Sequence, residues 1–148
     1  MLVDEGRDVL GRAECLELMR SVRLGRVVFT WRALPAVWPT AFVLDGRSVV
    51  FRVAAGSPVE AALRDETVVA FQTDAIEPGG ERGWSVTTVG RVRAVRDPAE
   101  TARLDALFPP RSPDAASERY LRLDCDRLTG TRFSASPRAT ATPAPLAP

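Results

Sequence analysis

The hydrophobic period of the chain changes several times, and each change predicts an element. Residues 13–22, AECLELMRSV, repeat apolar positions at helical spacing, with Cys15, Leu18, Met19 and Val22 on one face of an amphipathic helix. GRVVFTW (25–31) switches to a period of two and places Val27, Phe29 and Trp31 on one side of a strand. AVWPTAFVL (36–44) is apolar on both sides, as expected of a strand buried twice or lying against a partner. Pro39 within it requires an edge or a bulge, because proline gives no N–H to a ladder. Asp45-Gly46 is a hairpin signal. SVVFRVA (48–54) returns from it, with Val49, Phe51 and Val53 on one face and Ser48, Val50 and Arg52 on the other.

Ser57-Pro58-Val59-Glu60 is a capping box and predicts a short helix through Arg64. TVVAFQTD (67–74) and WSVTTVGRVRAV (84–95) predict strands around a turn at 76–83, with Gly90 as a bend or bulge. Asp97-Pro98-Ala99-Glu100 opens a third helix, to about Phe108, and 109–117 is a loop. RYLRLDCDRLTGTRF (119–133) supplies the last strand and its extension. Residues 134–148 have no apolar periodicity and predict a disordered Ala/Pro/Thr tail. With residues 1–10 as a lead, one domain over 11–133 is expected. Strands at short spacing, mostly hairpin-linked, with three short helices predict a mainly β (α+β) antiparallel barrel or sandwich with helical additions. A doubly wound parallel sheet would need crossover helices that most strand pairs here lack.

Composition narrows the chemistry. A net charge of +1 with interspersed acids and arginines gives no basic face for nucleic acid. No run approaches the ~20 apolar residues of a membrane span, and the N-terminus lacks signal-peptide blocks, so a cytoplasmic location is expected. All 20 basic residues are Arg; Lys, His and Asn are absent, as codon use in a GC-rich genome would produce. Without His there is no common Ser-His-Asp or Cys-His arrangement, and without Lys no Schiff base. Cys15 and Cys125 stand far apart, leaving zinc without its usual ligands; both read as small buried residues rather than a disulfide. Any activity is expected to borrow its reactive atom from a cofactor, with protons from water, Tyr120 or a carboxylate.

Two stretches could hold such a group. RSVVFRVAAGSPVEAALR (47–64) runs from a strand through Gly56-Ser57 into a helix start, where backbone N–H groups favour an anion and Arg52 could meet the same charge. The plainer reading makes Arg52 a solvated outward residue and Ser57 only a cap. GWSVTTVGR (83–91) could set an aromatic wall and a hydroxyl beside a planar ligand, or Trp84 could be core.

The ordered set of segments is similar to a known family. An ECLELM helix, GRVVF, LPAVWPTAFVLDG, VVFRVAAGSPVEAAL, VAFQTD, GWSVTTVGR and a closing LTGTR together resemble the pyridoxamine 5′-phosphate oxidase-like flavin-binding proteins of the short actinobacterial type. The resemblance spans roughly residues 10–133. It implies a split β-barrel homodimer with flavin mononucleotide (FMN) at the subunit interface. Pro39, Thr40, Ala41 and Phe42 would pass the isoalloxazine ring. Phe51, Arg52, Val53, Gly56 and Ser57 would hold ribityl and phosphate, and Trp84 and Ser85 would flank the flavin from a neighbouring strand or subunit. Relatives commonly read Gly-Ser-Lys; here Pro58 follows Ser57, and Arg52 or Arg64 is the candidate replacement for the missing charge.

The function implied is electron transfer from a reduced donor through flavin to a small molecule. The alternative is a non-catalytic dimer that binds flavin, a deazaflavin or haem over a degraded phosphate site. Pyridoxamine phosphate oxidation itself would need a second, strongly basic phosphate site, which the sequence does not supply.

Overall fold

The computed structural model describes residues 7–111 and 117–134. Eight strands and three helices follow the order β1 (Arg7–Val9), α1 (Arg12–Arg20), β2 (Leu24–Trp31), β3 (Leu34–Asp45), β4 (Ser48–Ala54), α2 (Pro58–Ala62), β5 (Val68–Ile76), β6 (Arg82–Ala94), α3 (Pro98–Asp105), β7 (Glu118–Asp124) and β8 (Arg127–Ser134). Every pairing is antiparallel. The strand order β1-β8-β6-β5-β2-β3-β4-β7 closes through an added β6–β7 pairing, so β6, β5, β2, β3, β4 and β7 form a six-stranded barrel.

The barrel is split because β6 shares one edge between two partners. Its first part pairs β8, from Arg82↔Ser134 to Val89↔Arg127. Its end pairs β7, from Val92↔Leu123 to Ala94↔Leu121. Gly90, expected as a bend or bulge, sits at this handover while its register with β5 runs on without an extra residue. A Cβ there would come within 3.1 Å of Leu123 Cδ1 and 3.2 Å of the Asp124 carbonyl, so glycine is what lets β7 approach.

The period-two segments bury the faces they were expected to bury. Val27, Phe29, Val49, Phe51, Val53, Val69, Phe71, Val86, Val92, Leu121 and Leu123 fill the barrel with Cys15 and Met19 of α1. Trp31 departs from its predicted face: at the hairpin tip it is 37% exposed. Cys15 and Cys125 are free and buried, and burial raises both thiol pKa values. A second cluster, Val50, Leu104, Phe108 and Tyr120, lies outside the barrel wall, where α3 covers β4 and β7.

Three sequence readings change. Residues 7–9 of the presumed lead pair with β8 as β1. The run 119–133 is two strands, not one with an extension, because the chain turns at Cys125-Asp126. Strands β2 and β3 form a two-residue hairpin, with Arg32 and Ala33 at φ 52° and 63°. Ser134 closes β8, and the rest of the expected tail lies outside the described residues. Among the described residues no helix is long and apolar enough to cross a membrane.

Candidate functional site

Strand β3 changes partners along its length, and this opens a notch. It pairs β4 only from Phe42↔Phe51 to Asp45↔Ser48, whereas residues 34–41 pair β2 alone. Pro35 and Pro39 therefore stand on a free edge, where a missing N–H costs nothing and strand addition is blocked. Helix α2 fills the gap left behind β3: Pro58, Val59 and Ala62 face Phe29, Trp31 and Ala36 across an apolar cavity of about 110 Å³.

The residues that the resemblance assigns to the ring and ribityl border this notch unevenly. Pro39 and Ala41 are exposed on the outer face, and Thr40 donates its hydroxyl to the Ala41 carbonyl at 3.2 Å. Phe42, Phe51 and Val53 turn their side chains into the core, with Phe42 edge-on to Phe71 at 4.9 Å between centroids. They can offer only backbone to a ligand.

Gly56 and Ser57 form the turn into α2. Gly56 has φ 78°, a conformation that favours glycine. Ser57 caps the helix by accepting from Glu60 N at 3.1 Å, and the Glu60 carboxylate accepts from Gly56 N at 3.2 Å. The returning bond of the box thus falls one residue early, on the Gly56 N–H, while the Ser57 N–H donates to the Ala54 carbonyl at 3.1 Å. Beside the turn runs a groove of about 560 Å³ onto which Arg64, Arg96 and Arg119 open. Arg119 Nε lies 2.9 Å from Glu60 and Arg96 lies 2.6 Å from Asp65, so two of the three charges are already partnered.

Arg52 has a different place. Its Nε is 3.3 Å from Glu118 and its guanidinium lies 4.7 Å from the centre of the Phe108 ring, just after α3. It is neither a solvated outward residue nor part of the groove at Gly56-Ser57. Tyr120 donates to Asp105 at 2.6 Å and is buried beside the same helix, and burial with this bond raises its pKa. Helix α3 is clamped over this region by Asp45, which accepts from Arg103 at 2.8 and 3.0 Å and from Arg122 at 2.9 Å. The hydrogen bonds from Arg103, aided by Arg122, lower the Asp45 pKa to about 2 against the opposing effect of burial.

Trp84 and Ser85 separate across the sheet. Trp84 points inward and is buried against the core, whereas Ser85 points outward, as alternation along β6 requires. Ser85 lies three strands from β3, roughly 14 Å at ordinary strand spacing. One chain therefore does not bring Ser85 to Pro39.

Around Ser85 the outer face carries a polar strip that the sequence reading did not single out. Gln72 Nε2 donates to Asp74 at 2.9 Å and to Ser85 Oγ at 3.1 Å. Arg26 donates to Gln72 Oε1 at 3.2 Å and to Asp74 at 3.3 Å. The signal was present in VVAFQTD: once Val69, Phe71 and Thr73 face the core, Gln72 and Asp74 must share the opposite side. Among the described residues no cluster of three or more His, Cys, Asp or Glu could hold a metal ion.

The comparisons with known proteins agree with this architecture. A chain from Mycobacterium tuberculosis, Uncharacterized protein Rv0080, is 37% identical over 134 residues, 87% of each chain. The structure of the FAD binding protein from Mycobacterium smegmatis superposes with a TM-score of 0.77 at 34% identity, covering 87% of this chain and all of the other. A Corynebacterium glutamicum structure described as a pyridoxamine 5′-phosphate oxidase gives 0.73 at 28% identity, covering 86% and 98%. The family model for pyridoxamine 5′-phosphate oxidase matches residues 11–132, the barrel with α1 and the groove beside Gly56-Ser57. With its split barrel and this match over most of its length, the chain belongs to the pyridoxamine 5′-phosphate oxidase family.

Proposed function

We propose that the protein is a flavin-binding oxidoreductase that works as a homodimer, each flavin lying between the β3 notch of one copy and the polar strip of the other. The observation that carries this reading is the separation just described. Pro39 and Ala41 offer a flat apolar edge, with Arg26 paired directly to Pro39 on the neighbouring strand. Ser85 offers a donor three strands away, so the edge and donor sets stand roughly 14 Å apart on one outer face. A second copy placed face to face would bring one set opposite the other.

The donor chemistry fits the ligand. A flavin ring is flat, apolar on its faces and rich in acceptors along one edge; its tail is anionic. The exposed Pro39 and Ala41 suit the faces, and Ser85 and Arg26 suit the edge. The Gly56-Ser57 groove suits the tail, because Arg64, Arg96 and Arg119 open onto it. Arg64 would supply the charge that Pro58 does not, since Arg119 and Arg96 face Glu60 and Asp65 and Arg52 is held by Glu118 and Phe108. FMN is the form that the resemblance implies. The 34% identical M. smegmatis protein binds FAD, which makes the dinucleotide the second reading.

Bound flavin supplies electron transfer between a reduced donor and a small-molecule substrate. The chain's own part is to bind, orient and exclude water. With no His or Lys in the sequence and Tyr120 buried, protons would come from water or an exposed carboxylate. The test is the visible absorption spectrum of protein purified from cells, followed by titration with FMN, FAD and a deazaflavin. A flavin band, or saturable uptake of FMN or FAD, is expected. A colourless protein that takes up none of the three would refute the reading, and uptake of the deazaflavin alone would favour the alternative cofactor.

A further inference from the structure

The Gln72 amide is held in one orientation by charge. Arg26 has only donors to offer and lies 3.2 Å from one end of the amide, which must therefore be the oxygen. Asp74 is an acceptor and lies 2.9 Å from the other end, which must be the nitrogen. The Arg26–Asp74 ion pair, at 3.3 Å, ties these two clamps together. An amide so pinned cannot flip without losing a charge-assisted bond at each end.

The second Nε2 proton is then directed at Ser85 Oγ, 3.1 Å away. Ser85 is an acceptor in that bond, so its own proton is left to be donated elsewhere. The hydroxyl projects from the outer face of β6, and across the pairing Asp74↔Ser85 it meets the strip rather than the core. A serine free on a strand could donate or accept with equal ease. This one has one lone pair already taken by Gln72 and its proton uncommitted among the described residues, which biases it toward donating.

We propose that Gln72 is a positioning residue that fixes Ser85 as a hydrogen-bond donor to an acceptor atom on the edge of the bound ring, with Arg26 and Asp74 locking the amide. The proposal rests on the flavin reading above and deepens it. The strip selects ligands that present an acceptor at Ser85 and discriminates against those that present a donor. It also keeps the Ser85 proton in place before the ligand arrives, so binding need not reorganise it.

The experiment is a double-mutant cycle on the intact protein, using Gln72→Met, Ser85→Ala and the pair, titrated separately with FMN and FAD. Gln72→Met preserves length and removes both amide roles. Gln72→Glu serves as a second variant, since its carboxylate would draw the Ser85 proton inward. The expected result is a loss of about fivefold to tenfold in flavin affinity for each single substitution. In the Ser85→Ala background, Gln72→Met should cost less than twofold, and the absorption maximum of bound flavin should move the same way in both single variants. Additive losses, or a Gln72→Met protein with wild-type affinity and spectrum, would overturn the proposal while leaving the flavin reading intact. Failure of the wild-type protein to bind either flavin would instead sink both together.

Discussion

Pro58 is where a single residue changes the expected chemistry most. Proline at the first helical position presets φ for α2 and costs no N–H, so the turn is well made without the lysine that relatives carry. The lost cation is only partly replaced, because Arg119 and Arg96 already face Glu60 and Asp65. Pro58→Lys is therefore expected to tighten flavin binding by about tenfold, the worth of a charge-assisted contact, in an equilibrium titration. Unchanged affinity would mean that the arginines already neutralise the anionic tail.

Asp45 makes the second prediction at this scale. Its pKa falls from the ordinary value to about 2 in the folded chain, so the folded state favours the carboxylate. That stability is fully present above pH 4 and is lost as pH falls from about 4 toward 2. Asp45→Asn should cost on the order of 1 kcal/mol at neutral pH, discounted for the exposure of Arg103, and flatten the loss in that acid window. Urea unfolding at pH 7 and pH 3 checks both.

Among the elements, the β2–β3 hairpin carries an avoidable cost. This two-residue turn takes positive φ at both central positions, and the chain supplies Arg32 and Ala33 there rather than Asn-Gly. Ala33→Gly should stabilise the protein by about 0.5–1 kcal/mol, read as a higher thermal midpoint; a lower one would show the turn to be unstrained. The same turn explains what the sequence concealed. Asp45-Gly46 and the capping boxes at Ser57 and Asp97 are side-chain and φ signals written into single residues, and each marks its hairpin or helix start. Arg32-Ala33 carries no such signal. β1 is too short and polar for a period to show, and its strand character comes from β8 alone. The site was legible to a similar degree. Local order exposes Pro39 as an edge residue and Gly56-Ser57 as a turn. Only the register across β5 and β6 reveals that Gln72 meets Ser85, and only the packing of the chain after α3 onto β4 reveals that Arg52 lies against Phe108.

At the scale of the whole molecule, the outer face of β3, β2, β5 and β6 carries an apolar row beside the polar strip. Val37, Val28, Ala70 and Val89 form one row across the four strands, with Leu24 and Val68 each more than half exposed nearby. A second copy is the occupant that the flavin reading requires. Val37→Glu should convert a dimer into a monomer in sedimentation at micromolar concentration and abolish flavin uptake with it. A wild-type protein that sediments only as monomer would count against the arrangement.

What most directly probes the central claim is an experimental structure of the flavin-loaded protein. Density is expected for a ring lying against Pro39 and Ala41 of one copy and within hydrogen-bonding distance of Ser85 of the partner subunit, its tail reaching the groove beside Gly56 and Ser57. A flavin bound wholly within one chain, or a dimer joined through another face, would contradict it.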